Sequence, residues 1–214
     1  MKRIITLAFL AFLTVLSFPV AAQYTFGVTD EEIAQDDADN YGGSWNTTMQ
    51  GTGFSNWTFD DATPNGGFAG RFIGSFSSAL DVNSNSFALF ANSGTNATSG
   101  VAVNFPQNLN EGDIFTVSVG VNFRDGNKGF DLRDASNASI INFNVANDEY
   151  KLDGSVDLFT NTYDANTVFT FEFTQNASDV SYTVTRSGGI TGTQSGTISS
   201  INAGTISSIR LYNV

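Results

Sequence analysis

From Ser55 onward, apolar and polar residues alternate along the chain. In "DIFTVSVGVNF", Phe115, Val117, Val119, Val121 and Phe123 share one side, while Thr116, Ser118, Gly120 and Asn122 share the other. "TVFTFEFTQ" sets Phe169, Phe171 and Phe173 against Thr170, Glu172 and Thr174, and "VSYTVTR" sets Val180, Tyr182 and Val184 against Ser181, Thr183 and Thr185. The last run, "ISSIRLYNV", opposes Ile209 and Leu211 to Arg210 and Tyr212. A period of two predicts strands with one wet face, the pattern of antiparallel sheets. Two runs differ. "SFALFA" (residues 86–91) is apolar on both sides and reads as a central buried strand, and "GFAGRFIGSF" interleaves Phe68, Phe72 and Phe76 with Gly70 and Gly74, as in a strand that bends or passes close beneath another.

Turn signals separate the runs at "PNGG" (64–67), "NSGTN" (92–96), "NEGD" (110–113), "RDGN" (124–127), "NASD" (176–179) and "SGG" (187–189). No segment has the capped 3.6-residue periodicity of a long helix. The pattern therefore predicts an all-β fold, a two-sheet antiparallel β-sandwich of about ten to twelve strands. A register can be tried in the middle of the chain. If "DGNK" (125–128) turns one hairpin and "DASN" (134–137) the next, Phe123, Phe130 and Ile141 fall on one side, and Asn122, Asp131 and Ile140 fall on the reverse, beside Arg124, Gly129 and Asn142. That would be a three-stranded meander.

The start of the chain changes the reading of its compartment. Met1-Lys2-Arg3, an apolar run over 4–18, Pro19 and the small residues Val20-Ala21-Ala22 make a secretory signal peptide, with cleavage expected after Ala22. The expected organisation is a signal peptide over 1–22, an acidic extended leader over 23–40 containing "VTDEEIAQDDADN", and a single β-sandwich domain over 41–214, secreted or held at the cell surface. No run is long and apolar enough for a membrane-spanning helix. The net charge is −12, and loss of Lys2 and Arg3 takes it to −14, a field that repels phosphate backbones and anionic lipid surfaces. Neither nucleic acid nor membrane insertion is expected. Cysteine is absent, so burial must hold the fold: 17 of the 20 phenylalanines lie beyond the signal stretch.

Candidate chemistry is sparse. Without histidine or cysteine there is no Ser-His-Asp or Cys-His catalysis and no histidine-based zinc site. Glu111 and Asp113 flank Gly112 just ahead of a strand and read as a turn, and Glu172 sits on a wet strand face. Asp36, Asp37 and Asp39, with Asp60 and Asp61, supply the hard oxygen ligands of a structural Ca²⁺ or else form a solvated acidic segment. "DVNSNS" opens like a calcium loop at Asp81, Asn83 and Asn85, but Ser86 stands in place of its glycine and Asn92 in place of its glutamate. In "SNWTF", Trp57 falls on the side of Phe59 and reads as core. Trp45, just after Gly42 and Gly43 in "YGGSWNTT", joins Tyr41 as the stacking candidate.

The order "NYGGSW…GTGFSNWTF…GGFAGRFIG…NSFALFAN…LNEGDIFTVSV…GNKGFDLRD…INFNV" resembles modules of secreted bacterial surface proteins that are similar in shape to the concanavalin A-like jelly roll. The likeness runs from about residue 41 to 213. It implies a jelly-roll sandwich of the lectin or carbohydrate-binding-module type. The endoglucanase members of that fold carry Glu-x-Asp-x-(x)-Glu on a strand. Here Glu111-Gly112-Asp113 precedes its strand and lacks the third carboxylate. The expectation is a non-catalytic module, not an enzyme, that needs no cofactor beyond a possible Ca²⁺ and binds a glycan or surface polysaccharide. The site would be either the face bearing Asn122, Asp131, Arg133 and Asn142 or the rim bearing Tyr41 and Trp45. The alternative is a packing component of an extracellular assembly that joins through exposed strand edges; a glycosidase ranks third.

Overall fold

Period-two segments bury one face only by stacking on another sheet, and the computed structural model shows how they do so for residues 25–28, 31–63, 67–75, 85–92, 96–146, 149–159 and 163–214. The signal stretch, the middle of the turns at 64–67 and 92–96, and the Asp81 start of the calcium-like run lie outside the described residues. The strands are β1 (Thr25–Val28), β2 (Glu31–Ala34), β3 (Thr58–Phe59), β4 (Phe68–Gly74) and β5 (Ser86–Asn92). There follow β6 (Ser99–Asn104), β7 (Ile114–Gly120), β8 (Lys128–Arg133), β9 (Ser139–Ala146) and β10 (Glu149–Leu152). The last are β11 (Val156–Asp157), β12 (Thr167–Gln175), β13 (Asp179–Gly188), β14 (Gly192–Ser199) and β15 (Ser208–Asn213).

They form an antiparallel β-sandwich. One sheet has the order β14-β13-β12-β7-β1-β2, the other β11-β10-β9-β8-β15-β6-β3, and β4 and β5 make a separate hairpin. Phenylalanines from the two inner faces interlock between the sheets. Phe130 on β8 meets Phe171 on β12 edge-on at 5.1 Å, and Phe143 on β9 packs on the same ring at 4.6 Å. Phe171 lies flat along Phe173, with centroids 5.8 Å apart. Each ring is fully buried and contributes about 1.5–3 kcal/mol by leaving water. Opposite them, Thr170, Thr183 and Thr185 keep the outer face wet, with cross-strand hydroxyl contacts such as Ser118–Thr170 at 2.9 Å.

Four details depart from the pattern. "SFALFA" is not a central strand: β5 has only β4 as a ladder partner among the described residues. Its two apolar faces are used differently, since Phe87 packs under Trp45 at 4.3 Å while the strand also borders a cleft. Second, the β7 alternation overshoots. Pairing with β12 ends at Val168↔Gly120, and the chain then crosses to the other sheet, leaving Phe123 78% exposed. "DGNK" is therefore a crossover rather than a hairpin turn, and Asn122 and Phe123 do not join the meander. In that crossover Gly126 (φ +78°) lies against the Val214 carbonyl, where a side chain would collide. Third, "DASN" does turn β8 into β9, but a bulge at Leu132/Arg133 shifts the pairing to Asp131↔Asn142 and Phe130↔Phe143. A shift of two keeps every side chain on its expected face. Fourth, the leader supplies β1 and β2: β1 pairs with β7, from Thr25↔Thr116 to Gly27↔Ile114.

That last pairing is short. β12 accompanies β7 over its whole length, whereas β1 covers only Ile114, Phe115 and Thr116.

Candidate functional site

Tyr41 and Trp45 are not a surface platform. Asp37 caps a short 3₁₀ turn, Ala38–Tyr41, by accepting from the Asp39 N–H at 2.9 Å, and Gly42 ends the turn in the left-handed region at φ +58°. The turn aims Tyr41 inward, and Tyr41 and Trp45 are only 6% and 7% exposed. Trp45 meets Trp57 edge-on at 5.1 Å. The Tyr41 hydroxyl donates to Asp36 Oδ2 at 2.7 Å and accepts from Trp57 Nε1 at 2.8 Å. Burial raises the pKa of Asp36, and the hydrogen bonds from Tyr41, Asp37 and Trp57 only partly oppose it. Burial likewise raises that of Tyr41.

The second candidate face is assembled, less one member. Asp131, Arg133 and Asn142 lie together on the outer side of the β8–β9 pair, and Asn122 sits apart in the crossover. Asp131 accepts from Arg133 at 2.9 Å, Ser139 at 2.8 Å and Asn142 at 2.9 Å. Asn142 also donates to the Tyr212 hydroxyl at 2.9 Å. Most of these polar groups are engaged with one another, although the buried Arg133 Nε has no partner among the described residues.

The five carboxylates proposed as calcium ligands are held by separate partners. Asp36 faces Tyr41 and Trp57, Asp37 caps its turn, and Asp39 accepts from Asn85. Asp60 pairs with Arg210 at 2.7 Å, and Asp61 pairs with Arg71 and accepts from Ser99. Among the described residues no cluster of three or more acidic side chains is placed to hold a metal ion.

What the sequence reading missed is a cleft of about 800 Å³. All of β5 borders it, as do Ser118 to Phe123 at the end of β7, Leu211 to Asn213 on β15, and Trp45. Its rings include Phe72, 42% exposed, and the far more exposed Phe123. Asn92, Asn122, Asp125, Lys128 and Asn213 give it polar points, and the Lys128 ammonium donates to the Asp125 carbonyl. Burial lowers the Lys128 pKa, with Asp125 pulling the other way. The Tyr163 hydroxyl anchors one wall by donating to the Val121 carbonyl at 2.8 Å, and burial pushes its own pKa up to about 12. Among the described residues, two buried polar atoms of the lining have no partner: Trp45 Nε1, a donor, and Asn213 Oδ1, an acceptor. The one sequence signal for this place was the alternation of β7 running on into the turn residues at 124–127.

Neither a protein-family model, nor a curated protein, nor a solved structure matches the chain.

Proposed function

We propose that this is a non-catalytic binding module of an extracellular surface, serving adhesion or assembly, and that the cleft between β5 and the end of β7 is its binding site. The observation that carries the reading is the cleft itself, which sets exposed aromatic rings beside buried polar atoms that lack partners. A lone carboxylate, Asp125, appears among the lining residues, whereas glycoside hydrolysis uses two. The signal-like start supports a secreted chain, and the glycine and aromatic order supports a concanavalin A-like ancestry.

The test is an array of neutral and acidic polysaccharides together with immobilised extended peptides, probed with the chain beginning at Gln23. Saturable binding to one class is expected, and Phe123→Asp should abolish it with the melting temperature unchanged, since that ring is already in water. Silence across the whole array, or binding indifferent to Phe123→Asp, rejects the reading.

A further inference from the structure

We propose that the cleft receives an extended peptide as an added β-strand, lying between β5 and the end of β7 and joining the β4–β5 hairpin to the six-stranded sheet. This rests on the binding-module reading and names the class of its partner.

The first observation is the order of the walls. Side chains of a strand alternate between its two faces, so a cavity against one face touches every second residue. Here the cleft touches Ser86 to Asn92 and Ser118 to Phe123 without a gap. It runs along main-chain edges.

Those edges are also open. Among the described residues β5 is laddered only to β4, and β7 beyond Thr116 only to β12. Unpaired strand edges are templates for another strand. The Leu89 carbonyl takes the Asn213 side-chain amide at 3.1 Å and the Val121 carbonyl takes Tyr163, contacts that fix the walls without filling the space between them. A chain beginning at Gln23 has two residues ahead of Thr25. Even in the β1 register these reach no further than Ser118, leaving Val119, Gly120 and all of β5.

A third observation points to the amide group. Trp45 and Asn213 are both more than nine-tenths buried, and buried polar atoms in proteins almost always have partners. One N–H to give and one oxygen to accept match the C=O and N–H that a peptide offers at every residue. The apolar lining and the −12 charge select a strand whose apolar side chains alternate with basic ones.

The experiment uses the chain from Gln23 and three probes: a capped Lys-Val-Lys-Val-Lys-Val-Lys peptide, matching the seven residues of β5, the same peptide N-methylated at its valines, and a β-glucan hexasaccharide. Calorimetry gives Kd, and hydrogen exchange follows the Leu89 and Gly120 amides, which face away from the β4 and β12 ladders. The proposal expects the plain peptide to bind and to slow exchange at those amides. It expects N-methylation to weaken binding by about tenfold or more, and Asn213→Leu to weaken the plain peptide. Equal binding of both peptides overturns strand addition, because side chains alone would then suffice. Binding of the hexasaccharide alone also overturns it, yet leaves the module reading intact with a glycan as ligand. If no probe binds, strand addition falls; the module reading falls with it only if the array is silent too.

Discussion

The phenol oxygen of Tyr41 is shared by a carboxylate, an indole and a backbone amide. It donates to Asp36 and accepts from Trp57 Nε1 and, at 3.2 Å, from the Gln50 N–H. Tyr41→Phe keeps the ring but leaves the Gln50 N–H without its acceptor and Asp36 without one donor, while Trp57 Nε1 keeps Asp36 at 3.1 Å, a loss of about 1–3 kcal/mol expected in urea denaturation. Asp36 gives this network a pH dependence with a definite sign. Its folded pKa lies above the ordinary 3.8, so the folded state holds the proton more tightly than the unfolded chain. Its contribution is therefore fully present below the unfolded value and is lost as pH rises through the folded one. Measured from about pH 3 to 8, wild type should lose stability relative to Asp36→Asn with rising pH and then run parallel to it. A difference that stays flat, or grows in the opposite direction, removes the assigned shift. None of this was legible in the residues. Trp57 was read as core from its alternation with Phe59, but nothing in "YGGSW" says that a capped turn rotates Tyr41 inward toward an aspartate that looked like a calcium ligand.

At the scale of elements, the runs "DIFTVSVGVNF" and "TVFTFEFTQ" both alternate apolar with polar residues, and the structure gives one phenylalanine of each an opposite fate. Phe171 stands where strands continue on both sides, buried against Phe130 and Phe143. Phe123 stands three residues past the last rung of β7 and is in water. Phe171→Ala should cost about 3–5 kcal/mol, and Phe123→Ser should stay within about 0.5 kcal/mol; comparable losses in urea denaturation would contradict the crossover. Alternation reports which face a residue takes if it is in a strand. The end of a strand is set by where its partner ends, which is a property of a different stretch of sequence. The same limit explains β8 and β9. Their faces were legible because parity survives a shift of two, while the bulge that made the shift depends on how Asp134 ties the turn, accepting from Ser136 N at 2.8 Å and Ala138 N at 2.9 Å. Asn137 closes that turn at φ +66°. Asn137→Val should therefore destabilise by about 1–2 kcal/mol, whereas Asn137→Gly should not. The cleft was hidden for a related reason: it lies between the edges of strands distant in sequence, and an edge leaves no periodic mark.

For the whole molecule, the formal charge of −12 makes two kinds of salt response distinguishable. Like charges spread over a folded surface repel, and ions screen that repulsion over about 10 Å at 0.1 M. Screening is indifferent to the identity of the cation except through ionic strength. A bound ion stabilises instead by mass action, saturably, and at concentrations near its dissociation constant. The separate engagement of Asp36, Asp37, Asp39, Asp60 and Asp61 favours the first. The melting temperature should rise with sodium chloride, by about 2–4 °C for each kcal/mol relieved in a chain of this size. Calcium chloride at matched ionic strength should follow the same curve, and a chelator in sodium chloride should change nothing. A calcium-specific rise that saturates at low concentration, reversed by the chelator, would mean that these carboxylates regroup around an ion, with Arg210 and Arg71 giving up Asp60 and Asp61.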